Sequence, residues 1–277
     1  MNKFELYYFS GTGNSLHIAK ELQKRIPDAT LIPIISLLKK ETIKTNAEVV
    51  GIVFPLYLTT VPKPVDEFIK KLDINSVKYV FTVITRIGTF SVANVYINKV
   101  LKKSGKLLDS SFMINMANNS PAGLKPFADQ KWAKKISKDK LIVLEEKVQE
   151  NLKLIADYVT KRDKIYSKGS VSFLSYILEP IMTKLTQKSS EIPFYADMSC
   201  TKCGICEKVC MSGKVKTVDE NVKWDKSVQC YYCYSCFNFC PTQSVLIEKK
   251  YLLKNGRYHH ADTDYKEIFA QKISCNE

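Results

Sequence analysis

No stretch of this 277-residue chain approaches the roughly 18 uninterrupted apolar residues of a membrane span, so no transmembrane segment is expected. The first residues, Met1-Asn2-Lys3-Phe4-Glu5, carry an acid where a signal peptide would need an apolar run. They read as the start of a strand, and a cytoplasmic location is expected. There is no low-complexity tract. Hydrophobic residues make up 45%, which excludes wholesale disorder and allows a proper core. No residue stands out as a catalytic acid or base. His17 falls inside an expected helix, and His259 and His260 lie near the C-terminus without an evident partner.

The length suits two domains. Over the first 125 residues strand and helix patterns alternate. Strands are expected at Phe4–Phe9, Thr30–Ile35, Glu48–Phe54, Lys78–Thr85 and Leu107–Asn115, with helices at Ser15–Arg25, Val65–Leu72 and Phe90–Lys103. Near-continuous apolar strands alternating with helices imply a parallel sheet covered on both faces. Residues 127–165 read as a long amphipathic helix, with Leu141, Leu144, Val148, Leu152, Ile155 and Val159 three or four apart. Its start, Lys131–Lys140, holds five lysines and one acid. Residues 166–194 read as a helical connector interrupted by Pro180. That segment either packs on a domain or docks on a membrane surface or a partner. Residues 195–250 form a cysteine module, and 251–277 a polar tail with one strand or helix at most.

Eight of the nine cysteines fall within 41 residues. In a reducing compartment such crowding indicates metal binding rather than disulfides. The motifs Cys200-Thr-Lys-Cys203-Gly-Ile-Cys206-Glu-Lys-Val-Cys210 and Cys230-Tyr-Tyr-Cys233-Tyr-Ser-Cys236-Phe-Asn-Phe-Cys240-Pro241 are both C-x2-C-x2-C-x3-C. Three cysteines at that spacing wrap one corner of a cubane cluster, and the fourth reaches the other cluster. The expected sets are Cys200, Cys203, Cys206 and Cys240 on one [4Fe–4S] cluster, and Cys210, Cys230, Cys233 and Cys236 on a second. Zinc sites favour paired C-x2-C motifs and fit less well. The module resembles bacterial-type two-cluster ferredoxins, although Met211 stands where a proline usually follows the fourth cysteine. Tyr231, Tyr232, Tyr234, Phe237, Phe239 and Trp224 are expected to shield the clusters and fill the small core.

After the first strand comes Ser10-Gly11-Thr12-Gly13-Asn14-Ser15, then a helix. Glycines and hydroxyl side chains at a helix N-terminus make an anion site. A dinucleotide fingerprint fails, because its third glycine would fall at Leu16 and no acid ends Leu31-Ile32-Pro33-Ile34. A Walker loop fails for want of its lysine. The loop resembles that of flavodoxins, which grips the FMN phosphate without a cation; the alternative is an ordinary strand-to-helix turn. The resemblance implies a doubly wound five-stranded sheet of order 2-1-3-4-5. It places the flavin at the ends of the third and fourth strands, against Pro55, Leu56, Tyr57, Leu58 and Thr59 and against Thr85, Arg86, Ile87 and Gly88. It implies that Tyr57 stacks on the ring. Arg86 stands where a glycine-rich loop is usual; it either faces the pyrimidine or points into solvent. Asn118-Asn119-Ser120-Pro121 would border the same site.

Residues 4–248 together resemble a family of flavodoxin–ferredoxin fusion proteins of anaerobes. The resemblance implies an electron-transfer protein that relays electrons between FMN and two [4Fe–4S] clusters and converts one-electron into two-electron steps. The alternative is a flavin-dependent reductase of a small substrate fed by its own clusters. The formal charge of +14 raises nucleic-acid binding as a third class. Thiolate clusters and FMN would reduce it to about +8, and nucleic acid is not the expected partner. Redox proteins are, including acidic ferredoxin-like carriers drawn to the Lys131–Lys140 stretch. The sequence is silent on oligomeric state.

Overall fold

The computed structural model describes residues 4–88, 90–120, 137–166, 172–187, 191–248, 254 and 256–273. Thr89, Pro121 and residues 127–136, which include most of the basic stretch, fall outside them.

Five strands, β1 (Phe4–Tyr8), β2 (Ala29–Pro33), β3 (Val49–Pro55), β4 (Tyr79–Arg86) and β5 (Ser110–Asn115), form one parallel sheet in the order β2-β1-β3-β4-β5. The chain is thus α/β with a doubly wound parallel sheet. Alternate residues of each strand face opposite sides. Tyr7, Phe9, Val50, Ile52 and Phe54 pack under α2 (Lys63–Lys71) and α3 (Ala93–Leu101). Leu6, Tyr8, Val49 and Val53 pack under α1 (Asn14–Arg25) and α4 (Lys138–Lys161). Gly51 is required where the sheet meets two large side chains: a Cβ there would lie 2.4 Å from the Phe81 ring and 2.8 Å from Leu6.

Some boundaries shift from expectation. β2 ends at Pro33, which has no N–H for the ladder, and Ser36 Oγ closes a short helical turn on the Pro33 carbonyl at 2.8 Å. α3 begins at Ala93, whose N–H donates to Ser91 Oγ at 3.1 Å. The described part of the long helix ends at Arg162 in the left-handed region (φ 62°).

After α5 (Phe173–Gln187) the chain enters the cysteine module. Strand β6 (Phe194–Ala196) pairs antiparallel with β9 (Val245–Ile247), and β7 (Val215–Val218) pairs antiparallel with β8 (Asn221–Trp224). The one-turn helices α6 (Ile205–Lys208) and α7 (Ser235–Asn238) each begin at the residue just before the third cysteine of their motif. The two halves repeat their backbone as well as their sequence. Lys202 and Tyr232 occupy equivalent left-handed positions, as do Gly204 and Tyr234, and Gly213 and Gln243. A non-glycine residue in that region costs on the order of 1 kcal/mol, so the four non-glycine corners, Lys202, Tyr232, Tyr234 and Gln243, are held by what surrounds them.

The module shares its apolar core with the sheet. Val209, Met211, Cys233 and Phe239 are buried in the same cluster as Phe9, Phe54 and Phe68. Met211, the departure from the ferredoxin pattern, is a buried contact in this joint core. The last segment also folds back: α8 (Tyr265–Ala270), started by an Asp264–Glu267 capping box, places Ile268 in that core.

Candidate functional site

The Ser10–Ser15 loop joins β1 to α1. Gly13 has φ 97°, which only glycine adopts without strain. The first-turn N–H groups of α1, from Asn14 to Leu16, have no intrahelical acceptor and face outward from the positive end of the helix dipole. Ser10 Oγ accepts from Gly13 N at 3.1 Å, and Ser15 Oγ bonds Thr85 Oγ1 at 2.8 Å. That second bond ties the loop to the end of β4.

A cleft of about 250 Å³ opens above this loop. Its walls include Ser10, Gly11, Thr12, Asn14, Ser15, Pro55 to Thr59, Thr85, Arg86, Ile87 and Asn118. Of the residues expected from the sequence, Gly13 and Gly88 do not line it. Gly13 turns instead toward the C-terminal segment, where a Cβ would lie 2.6 Å from Thr263 Oγ1 and 2.9 Å from His260 Cβ. Gly88 (φ 83°) shapes the turn after β4. Asn14 lines the cleft, but its side chain is engaged: Nδ2 donates to Ala117 O at 2.9 Å and Oδ1 accepts from Tyr258 at 2.7 Å. Burial lowers the pKa of Arg86, which is half-buried at the cleft wall.

The turn after β3 is strained. Tyr57 and Thr60 exchange both backbone hydrogen bonds, at 3.2 and 3.0 Å, around Leu58 (φ 47°) and Thr59 (φ 73°). Two successive left-handed residues make a mirror-image tight turn that favours Asn-Gly. A β-branched threonine there is an outlier of the kind that gathers at functional sites. Among the described residues, the buried hydroxyls of Tyr57, Thr59 and Thr60 have no hydrogen-bond partner. Orphaned donors around a cleft fit a polar ligand that completes them. Tyr57 meets Phe9 edge-on at 6.2 Å and is wedged beside the second cysteine motif.

The structure brings the eight cysteines into two groups of four; all are free thiols. Burial pushes the Cys206 thiol up to about 12, and Cys240, Cys203 and Cys200 add to the rise. The same four line one small cavity. Burial also raises Cys230, Cys233 and Cys236, with Cys210 among the neighbours of each. Each group therefore takes three thiols from one motif and the last from the other. Such crowding disfavours free thiolates and suits a cationic metal core in their midst. Sulfurs in both groups accept hydrogen bonds: Val215 N donates to Cys210 at 3.4 Å, Ser244 N to Cys240 at 3.2 Å, and Tyr232 N to Cys230 at 3.4 Å. The donor sets fit two clusters of cysteine-ligated iron and sulfide.

The two sites share a wall. A Cβ on Gly11 would lie 2.7 Å from Cys233 Cβ and 2.8 Å from the Cys233 carbonyl. Ser235 Oγ donates to Gly11 O at 2.7 Å and lies 3.0 Å from Cys233 Sγ. Asn119 Nδ2 donates to Thr12 Oγ1 at 2.8 Å, and Asn238 Nδ2 to Asn119 O at 2.9 Å. Tyr232 and Tyr234 of the second motif line the cleft, with Met116 and Ala117. Those four were missed as cleft residues. The tyrosines carried a signal only as cover for a cluster, and Met116-Ala117 carried none.

The C-terminal segment reaches the same loop. His260 N donates to Thr12 O at 2.8 Å. The buried Gln271 amide binds both backbone groups of Ser10, accepting from N at 3.0 Å and donating to O at 2.9 Å. Far from lacking a partner, His260 stacks on His17 with ring centroids 3.9 Å apart. Glu145 lies at the Nε2 edge, 2.9 Å from His17 and 3.8 Å from His260; Asp262 lies at the Nδ1 edge. Asp262 N–H donates to His260 Nδ1 at 3.3 Å, which puts that ring's proton on Nε2, toward Glu145. His17, His260 and Glu145 thus form a polar clamp whose ring nitrogens and carboxylate oxygen lie within 4.8 Å of one another.

No family model and no curated protein matches the chain. A crystal structure of a Bacteroides uniformis protein, provisionally assigned as a flavoprotein, is similar over 43% of this chain and 94% of its own, at 15% identity and a TM-score of 0.31.

Proposed function

We propose that this protein is an electron carrier that holds FMN in the cleft above Ser10–Ser15 and two [4Fe–4S] clusters on the eight cysteines. The observation that carries the reading is the shared wall: the loop suited to the FMN phosphate touches Cys233 directly. A flavin in the cleft and a cluster on the second cysteine group would be neighbours without any domain motion. FMN supplies one- or two-electron chemistry when bound, and clusters pass single electrons. The chain's own residues orient and shield. The α1 N-terminus and the hydroxyls of Thr12 and Ser15 would hold the phosphate, Tyr57 and Leu58 close one side of the ring site, and Tyr232 and Tyr234 exclude water between the two sites.

The test is anaerobic purification with iron, acid-labile sulfide and FMN counted per chain. About eight, eight and one are expected. Two zinc ions, or clusters without flavin, would refute the relay. The proposed partners are acidic redox carriers, and electron transfer to one should slow as salt rises. Lys138 and Lys140 are the exposed described members of the basic stretch.

One observation favours the reductase as a second reading. A cavity of about 300 Å³ shares Tyr57, Leu58 and Tyr232 with the cleft and continues to Thr60, Tyr96 and Thr183. It offers room for a small substrate beside the flavin site. Turnover of such a substrate with a chemical reductant and no protein partner would select this reading.

A further inference from the structure

Helix α5 is inside out. Its positions Ser175, Glu179 and Thr183, four residues apart and therefore on one face, are buried at 1%, 4% and 8% exposure. Its large apolar side chains point outward: Phe173 is 82% exposed, and Leu174, Tyr176, Ile177, Ile181 and Leu185 are each more than half exposed. The helix is held to the body by polar bonds. Ser175 Oγ donates to Ser91 O at 3.0 Å, Thr186 Oγ1 to Leu58 O at 3.4 Å, and Lys99 of α3 pairs with Glu179 at 3.2 Å. An apolar stripe of this size on a surface helix marks an interaction site.

Charge identifies the occupant. The one acid of α5, Glu179, is buried and consumed by Lys99. In the turn that follows α3, three and four residues beyond Lys99, lie Lys102 and Lys103, both exposed, and Lys184 is exposed on α5 itself. Among the described residues none of these three pairs with an acid, and the chain as a whole carries +14. Two copies meeting through this face about a two-fold axis would bring the same lysines together. An acidic, apolar-cored surface would neutralise them. We infer that α5 lies on an anionic lipid bilayer, its stripe in the acyl boundary and the lysines at the headgroups. At 15 residues the helix is too short to cross a bilayer, and no described helix is long and apolar enough to do so.

The experiment is co-sedimentation of the full chain, as isolated, with phosphatidylcholine vesicles and with mixed phosphatidylcholine–phosphatidylglycerol vesicles. Binding to the anionic vesicles alone is expected, weakening as salt rises. The double variant Ile177→Glu/Ile181→Glu should lose binding on the order of tenfold or more. Lys102→Glu/Lys103→Glu should lose several-fold. Both variants should keep the parent's thermal unfolding midpoint, because all four positions are exposed. Failure to bind anionic vesicles, or binding untouched by the isoleucine variant, overturns the inference. So does a dimer in solution that the isoleucine variant disperses, which would assign the stripe to a second copy. The readout depends on neither FMN nor clusters.

Discussion

Replacing Gln271 by alanine should loosen the phosphate loop from a position 261 residues away in sequence. The Gln271 amide acts as a surrogate strand for Ser10, one bond to its N–H and one to its C=O, with both residues fully buried. Truncation leaves two buried backbone groups without partners, each costing about 1–3 kcal/mol. Some of that is recovered if water enters the space of the lost side chain. Roughly 2–3 kcal/mol remains, which raises the local opening equilibrium about 30- to 150-fold. Native-state amide exchange, read by mass spectrometry on a peptide covering Ser10–Ser15, should accelerate by that factor, while peptides of the cysteine module hold their rates. Gln271→Glu is the informative comparator. It keeps an acceptor for the Ser10 N–H but sets a carboxylate oxygen against the Ser10 carbonyl, so it should protect no better than alanine. Exchange within about threefold of the parent would refute the argument. So would an equal acceleration throughout the chain, which would signal global destabilisation rather than a local strap.

Gly11→Ala should drive the loop off Cys233, at a cost of about 1–3 kcal/mol, and the purified protein should retain less FMN per iron than the parent; full retention would mean the contact is dispensable. Cys210→Ser should perturb the same reduced-cluster electron paramagnetic resonance signal as Cys233→Ser, and a different one from Cys203→Ser; the reverse pairing would contradict the crossed grouping of thiols. Thr59→Gly should relieve left-handed strain worth about 1–2 kcal/mol and raise the unfolding midpoint by a few degrees; a lowered midpoint would mean that Thr59 is not strained. Burial first, and then His17, lower the pKa of His260. The unfolded chain therefore binds more protons than the folded one, so the clamp is fully held above a pH of about 6.5 and weakens as pH falls below it. Exchange of residues 256–273, corrected for intrinsic rates, should speed up from about pH 7.5 to about 5.5, and His260→Gln should flatten that dependence.

By itself the sequence determined the elements that depend on neighbours in the chain. Alternation and apolar runs marked the five strands, and spacing marked α1 and the long helix, because strand and helix periods are local geometry. The cysteine spacing announced a repeated module, and the glycine–hydroxyl loop announced an anion site at a helix start. Only the tertiary structure decided what those pieces share. Met211 looked like a flaw in a motif and is a buried contact with the sheet's core. Gly11 and Ser235 meet across 224 positions, and no periodicity records which loop a glycine will touch. His260 and Gln271 sat in a polar tail with no pattern at all. Their partners, His17 and the Ser10 backbone, are reached only when the chain returns to its own beginning. Contacts of that range depend on how whole elements pack, where burial and orphaned backbone groups set the energy, and a reading along the chain has no access to either.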